Sequence, residues 1–324
     1  MDRVSARVFV GVPTWERSNY VGDALGSVLA QTFEDFRVVV SDNASGAENG
    51  VAIEAEVSRF DDPRVSFHRQ PTNEGEYGQG RFFLAACESE YFVILHDDDR
   101  LEPSYLETAI AKLDGDPSLA CFAADSYAFH EDGRPWPEMT RRRRRRQRRH
   151  RQPEGPMDML EPHLRCGFVP ISGTVFRTRA LVESEFAQVG TGNFPFEFDV
   201  LLRVAERGGQ VYFSREPLFG IRFHDGSMRN YLGMWTNPDV VGGLIRLLEP
   251  RLFSGADERR RRRLLATLLG LWARIEAKRG APAEARLAVR RALRLSPTCH
   301  QAWSAAASVF LRGSRSAPER ASTP

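Results

Sequence analysis

At 324 residues the chain has room for one large α/β domain with an appendage, or for two small domains. Its content, 42% hydrophobic and 27% charged, is ordinary for a soluble globular protein, and no stretch approaches the roughly 20 apolar residues that cross a bilayer. The net charge of +2 conceals an asymmetry: nine arginines and no acid between Arg141 and Arg151, a surplus of +11 over 251–324, and −18 on the remainder. An acidic body suits an enzyme that binds a divalent cation, and basic appendages suit an anionic acceptor, membrane surface or partner. The first twelve residues lack the layout of a signal peptide, so a cytosolic location is expected. Cys87, Cys121, Cys166 and Cys299 are far apart and form no CxxC pair, as expected of free thiols in a reducing compartment.

The first half alternates strand and helix signals. Arg7–Val12 reads as a strand ended by Pro13, and residues 19–31 as a helix with Val21, Leu25, Val28 and Leu29 on one face. Phe36–Ser41 is a second strand closed by Asp42-Asn43, residues 47–59 a helix, Val65–His68 a third strand, 78–88 a helix and Tyr91–Leu95 a fourth strand. Near-continuous apolar strands separated by helices predict a buried, mainly parallel sheet, whose ligand crevice lies at the carboxyl ends of the strands. Pro13-Thr14, Asp42 and Asp97–Asp99 fall at three such ends. Leu119–His130 is strand-like. Residues 134–156, rich in proline and arginine, read as a flexible basic loop, and Val169–Arg177 as a strand containing Gly173. Residues 196–207 read as a helix stopped by Gly208-Gly209, followed by short strands at Val211–Ser214 and Leu218–His224. The expected division is a domain over 1–235, a helical region over 236–312 whose last helices look tetratricopeptide-like, and a disordered tail over 313–324.

Asp97-Asp98-Asp99 carries the clearest chemical signal. Three adjacent carboxylates repel one another, and a cation relieves that repulsion. Mg²⁺ and Mn²⁺ take oxygen ligands, Mg²⁺ typically from one or two carboxylates plus substrate phosphates. A solvated acidic turn is the competing explanation, and the run's position at a strand's carboxyl end favours the metal.

The chain resembles the family 2 glycosyltransferases, which have a GT-A fold. The stretches that carry the resemblance are VFVGVPTWERSNYVGDALGSVLAQTFEDFRVVVSDNASG, then NEGEYGQGRFFLAACESEYFVILHDDDRLEP, FEFDVLLRVAERGG and PLFGIRFHDGS. Their order and spacing match the family's opening, the approach to its DxD motif, its base-bearing helix and its closing Arg-x-His-x-x-Ser strand, over residues 7–227. The resemblance implies a GT-A type mixed, mainly parallel, Rossmann-like sheet flanked by helices, followed here by a C-terminal α-helical extension.

The resemblance also implies roles at matching positions. Pro13, Thr14 and Glu16 would line the nucleotide pocket, with Arg17 nearby, and Asp42 would accept a hydrogen bond from the base. Asp97 would sit near the ribose or donor sugar, or join Asp99 and His224 around the metal, with Asp98 in the same donor site. Arg222 would be a phosphate contact or a structural ion pair. Without the resemblance His224 is a lone histidine on a strand edge; with Arg222 and Ser227 at the matching spacing it belongs to the site, and an imidazole ligand favours Mn²⁺ over Mg²⁺. The general base falls on Glu197 or Asp199, with Glu197 preferred although the family more often has aspartate there. Many relatives carry asparagine where this chain has Arg81, which would either face the diphosphate or solvent; Asn73 and Gly75 shape a turn beside it.

The expected activity is an inverting transfer of a sugar from a UDP- or dTDP-sugar to a hydroxyl of a glycan, glycolipid or metabolite, assisted by Mn²⁺ or Mg²⁺. The arginine run could draw a lipid-linked acceptor or the inner face of a membrane. No aromatic residue interleaves within 141–151, so nucleic acid is not the expected partner. Two other readings are a nucleotidyltransferase and a non-catalytic adapter. The first lacks the glycine-rich loop needed after the first strand; the second leaves the acidic run, Glu197, Asp199 and His224 without a role.

Overall fold

The computed structural model describes residues 6–167, 169–186, 195–225 and 233–312. The chain divides into two compact units, Met1–Met228 and Arg229–Pro324.

The first unit is built on a mixed nine-stranded sheet in the order β3-β2-β1-β4-β8-β6-β9-β5, with β7 also pairing with β9. Its strands are β1 Val8–Thr14, β2 Phe36–Asp42, β3 Val65–Arg69, β4 Tyr91–Ile94, β5 Arg100–Leu101, β6 Leu119–His130, β7 Gly155–Asp158, β8 Val175–Arg177 and β9 Gln210–Phe223. Strands β1 to β4 run parallel, and β8 is antiparallel to β4 and β6. The helices are α1 Ser18–Leu29, α2 Ala47–Ser58, α3 Gly75–Ala86, α4 Tyr105–Gly115, α5 Pro137–Arg146, α6 Leu160–Cys166, α7 Thr178–Ser184 and α8 Phe196–Glu206.

The central strands are apolar throughout because both faces are covered. Val8, Val10 and Val12 pack with Val21, Leu25 and Val28 of α1 and Ile53 of α2 on one side. Phe9 and Phe92 pack with Phe83 of α3 and Val200 and Leu201 of α8 on the other. Alternate residues of one strand thus enter two cores, which is why the strands lack a polar period. At Gly11 a Cβ would stand 2.6 Å from the Phe83 ring, so only glycine lets α3 sit this close to β1.

Four elements differ from the sequence-based expectation. Strand β1 runs through Pro13 to Thr14 rather than ending before the proline. The Leu95 amide donates to the Gly11 carbonyl, and β4 pairs with β1 only as far as Gly11, so Pro13 lies beyond that ladder where its missing N–H costs nothing. The strand expected over 169–177 shrinks to β8, because Gly173 turns the chain at φ +79° with the Phe219 ring against it. The two short strands after α8 are one long β9 with a register irregularity opposite Asp125: Ala124 pairs with Ser214, and Ser126 with Phe219. The arginine-rich stretch expected as a loop forms α5, a single 3-10 turn at Arg149–Arg151, and then β7.

Asp125 explains that last difference. It is buried in β6 and takes Arg144 at 2.7 Å and Arg149 at 3.6 Å. Arg149 is 1% exposed and also donates to Ser126. Met139 is buried, and the Arg143 guanidinium lies over Phe223. A helix has an inner and an outer side, so the run divides: Arg143, Arg144 and Arg149 reach the body, while Arg141, Arg142 and Arg145 are exposed and have no carboxylate partner among the described residues.

The second unit contains α9 Pro238–Leu248, α10 Gly255–Lys278, α11 Pro282–Leu295 and α12 His300–Arg312. Small residues let the last three approach closely: Ala273, Ala285, Ala288, Val289, Ala305 and Val309 share one cluster. The run Arg259–Arg263 is divided in the same way as the first, with buried Arg261 bonded to Glu258 and the Leu248 carbonyl. Among the described residues no helix is long and apolar enough to cross a membrane.

Candidate active site

The site lies where β1, β2 and β4 end. Past the β1–β4 ladder, the His96 amide turns to a side chain and donates to Ser172 Oγ at 3.0 Å. The Ser172 hydroxyl donates in turn to Asp99 Oδ2 at 2.7 Å, and Asp99 Oδ1 accepts from the Arg222 amide. The acidic run is thereby held as a fixed turn rather than a solvated one, with Asp97, Asp98 and Asp99 only 3%, 9% and 5% exposed.

The three carboxylates face different ways. Asp98, Asp99 and His96 each offer one ligand atom, all within 4.8 Å of one another. Asp98 Oδ2 is also 3.2 Å from His224 Nε2. Asp97 instead turns toward Arg17, whose Nη1 lies 3.1 Å from Asp97 Oδ1 and 3.2 Å from Asp98 Oδ2. Burial raises the carboxyl pKa values of Asp97 and Asp99, and the charge of Asp98 between them adds to the effect. Burial acts on Asp98 too, but the His224 hydrogen bond and the Arg17 charge outweigh it and hold its carboxylate below the ordinary value. The effect of burial on His96 is likewise outweighed by Glu197, Asp99 and Asp98, and its pKa is raised. A divalent cation fits this donor set, since two carboxylates and an imidazole converge at ligand spacing.

Helix α8 separates its two acids. Glu197 in the first turn is half-exposed, with Oε1 3.8 Å from His96 Nε2. Asp199 is 2% exposed and accepts from Tyr77 Oη at 3.1 Å and Arg203 Nε at 2.9 Å. Positions two apart on a helix point to nearly opposite sides, so one acid meets the crevice and the other braces α8 against α3. Glu76 of α3 is a further acid here, pushed up to about 8 by burial and then by Glu197. His163 Nε2 of α6 donates to the Phe198 carbonyl at 3.0 Å, and burial lowers its pKa to about 4.

Several of the expected pocket residues serve the protein's own scaffold. Glu16, at φ +58°, directs its carboxylate to the Gly46 amide and Asn49 at the start of α2. Asp42 is fully buried; Oδ1 accepts from the Ser45 amide at 3.0 Å, and Oδ2 lies 3.4 Å from Arg69 Nε. Asn73 Oδ1 accepts from Gly75 and Asn43, closing the turn into α3. Arg81 lies half-buried on α3, Pro13 half-buried and Thr14 buried at the end of β1. Arg222 is 4% exposed, and its guanidinium donates to the Asp98 carbonyl, the Glu131 carbonyl and Asp23. Ser227 lies outside the described residues.

Sequence reasoning missed His96, Ser172, Glu76 and Arg69. His96 could have been found from its place, one residue before the acidic run and at the same strand end. Ser172 and Glu76 carry no local signal, because folding alone brings them to the turn.

The model of the family described as "Glycosyl transferase family 2" matches residues 9–171, half of the chain. One relative is the GalNAc(5)-diNAcBac-PP-undecaprenol beta-1,3-glucosyltransferase of Campylobacter jejuni, 28% identical over 106 residues, which are 33% of this chain and 34% of that one. The matched stretches span from 14% to 37% of the lengths of the curated relatives. Among solved structures, Staphylococcus aureus TarS 1-349 in complex with UDP-GlcNAc aligns with a TM-score of 0.65 at 15% identity, over 94% of this chain and 89% of that one. The mannosyltransferase PcManGT of Pyrobaculum calidifontis, in complex with GDP-Man and Mn²⁺, aligns with a TM-score of 0.53 at 16% identity, over 95% and 81%. These structural likenesses show the fold, GT-A.

Proposed function

The chain belongs to glycosyl transferase family 2, and on that premise we propose that it transfers a sugar, with inversion, from a nucleoside-diphosphate donor to an acceptor hydroxyl. The convergence of His96, Asp98 and Asp99 within 4.8 Å at the strand ends carries the reading. Asp98, Asp99 and His96, with His224 against Asp98, would hold the divalent cation, and an imidazole in the set favours Mn²⁺ over Mg²⁺. When bound, that cation stabilises the charge gathering on the departing diphosphate as a Lewis acid. Thr14 and Pro13 border the nucleotide side, and Arg17 and Asp97 the diphosphate and ribose side. Asp42 is the candidate acceptor for the N3–H of uracil or thymine, and the base reaches it once Arg69 shifts aside.

Glu197 is the general base in this reading because it is the accessible acid of α8 beside the metal ligands. As the acceptor oxygen bonds to the anomeric carbon and the bond to the diphosphate oxygen breaks, the hydroxyl proton passes to Glu197. Asp199 positions α8 through Tyr77 and Arg203. The exposed arginines of α5 are the surface to which a phosphate-bearing or lipid-linked acceptor, or an anionic membrane surface, would be drawn.

Calorimetry with UDP, with and without Mn²⁺, tests the donor site: the expected result is binding that tightens with metal, and metal-independent or absent binding removes the reading. Glu197→Gln should lower kcat by about 10²- to 10⁴-fold with UDP affinity kept. Asp199→Asn should chiefly lower stability. A larger kcat loss in the folded Asp199→Asn variant would reverse the assignment.

A further inference from the structure

We propose that Arg17 is a resident counter-cation of the acidic run, held on Asp98 until a divalent cation takes its place and frees the guanidinium for the donor's diphosphate. The inference rests on the donor-site reading above.

The argument begins with charge. Asp97, Asp98 and Asp99 are consecutive and buried, and burial of like charges requires a cation close by. Arg17 meets that need through a single nitrogen, Nη1, 3.1 Å from Asp97 Oδ1 and 3.2 Å from Asp98 Oδ2. Asp98 Oδ2 is the same atom that His224 approaches at 3.2 Å. A carboxylate oxygen binds Mg²⁺ at about 2.0–2.1 Å, inside the space that the guanidinium occupies. The two cations therefore compete for one carboxylate, that of Asp98.

Arg17 is also built to leave. A guanidinium does not lose its proton in a protein, so it yields only by moving. Its side chain is 37% exposed, against 4% for Asp97 and 12% for Asp98. It stands in the short loop between β1 and α1, directly after Glu16, which is anchored on the start of α2. The backbone is thus fixed while the long side chain has solvent on one side. Once displaced, its charge remains at the edge of the crevice, where a diphosphate arriving with the metal would meet it. Metal and nucleotide binding become coupled through the movement of one side chain.

The test is Mn²⁺ binding without nucleotide, read from the electron paramagnetic resonance of free Mn²⁺ on the full chain. Arg17→Gln removes the competing charge and should tighten Mn²⁺ about three- to tenfold, while reducing the factor by which Mn²⁺ improves UDP binding. Arg17→Lys keeps a cation and should bind Mn²⁺ close to the wild-type affinity, which separates competition from any effect on folding. Equal or weaker Mn²⁺ binding by Arg17→Gln overturns the inference and leaves the donor site standing. Failure of the wild-type chain to bind millimolar Mn²⁺, with or without UDP, overturns both.

Discussion

Two clusters of like charge have opposite fates in this molecule. The acidic run Asp97–Asp99 is buried whole, its repulsion met by Arg17 and His224 from distant stretches of chain and by His96 just before it. The arginine run of α5 and the 3-10 turn after it is divided, with Arg144 and Arg149 drawn onto one buried acid, Asp125, while Arg141, Arg142 and Arg145 remain outside. The backbone makes the difference. A turn at a strand end gathers neighbouring side chains into one crevice, whereas a helix spreads them around an axis. Concentrated charge stores a demand for a cation; distributed charge leaves a rigid surface with one side still uncompensated.

The sharpest test of the contrast removes one acid from each cluster. Asp98→Ala should abolish most activity, lowering kcat/KM by about 10³-fold or more, with a modest fall in the denaturation midpoint as Arg17 and His224 lose this carboxylate. A fully active Asp98→Ala enzyme would reduce the acidic run to scaffold. Asp125→Ala should do the converse and cost about 3 kcal/mol in urea unfolding, because it strands the fully buried Arg149 without its acid. A loss under 1 kcal/mol would mean that α5 is held by its apolar contacts rather than by Asp125.

The next effect depends on pH and comes from a group outside both clusters. His163 is buried neutral with its pKa lowered to about 4, while the unfolded chain protonates near 6.5. The unfolded state therefore binds more protons between these values, and the stability due to the neutral ring is lost as pH falls through that window. The expected loss is about 2 kcal/mol between pH 7 and 5, read from urea midpoints, and His163→Gln should flatten that slope. The smallest effect belongs to the outward arginines. Arg141→Ala with Arg145→Ala should leave stability within about 0.5 kcal/mol of wild type, with a slight gain from relieving an i,i+4 repulsion. A large loss would place these side chains against a partner surface of their own.

These contrasts also mark what could be read before folding. The alternation of apolar runs and amphipathic stretches located β1 to β4 and α1 to α3, because burial on both faces leaves a plain compositional trace. Thr14, Asp42 and the acidic run could be assigned to one edge, since parallel topology aligns strand ends. The partners of the acids could not be read. Arg17 meets Asp97 across 80 residues and Ser172 meets Asp99 across 73, separations that leave no local pattern. Arg222 and Glu16 have residue types suited to phosphate or nucleotide contact, yet their polar atoms bond to the scaffold. The arginine stretch reads as a loop because its charge hides the helix; Met139 and buried Asp125 show the face that packs.

The behaviour of β1 at Pro13 reaches beyond its local geometry. There the last rung joining β1 to β4 has already been made at Gly11, and the two main chains part like the sides of an open seam. The opening is set by where interstrand bonding stops, and no acidic side chain is needed to hold it apart. An engineer can therefore exchange the acids at its lip while the sheet stays closed below them. A version silenced at Glu197, with the acidic run left in place, should remain an intact receptor for locating a donor or an acceptor that the active enzyme would consume.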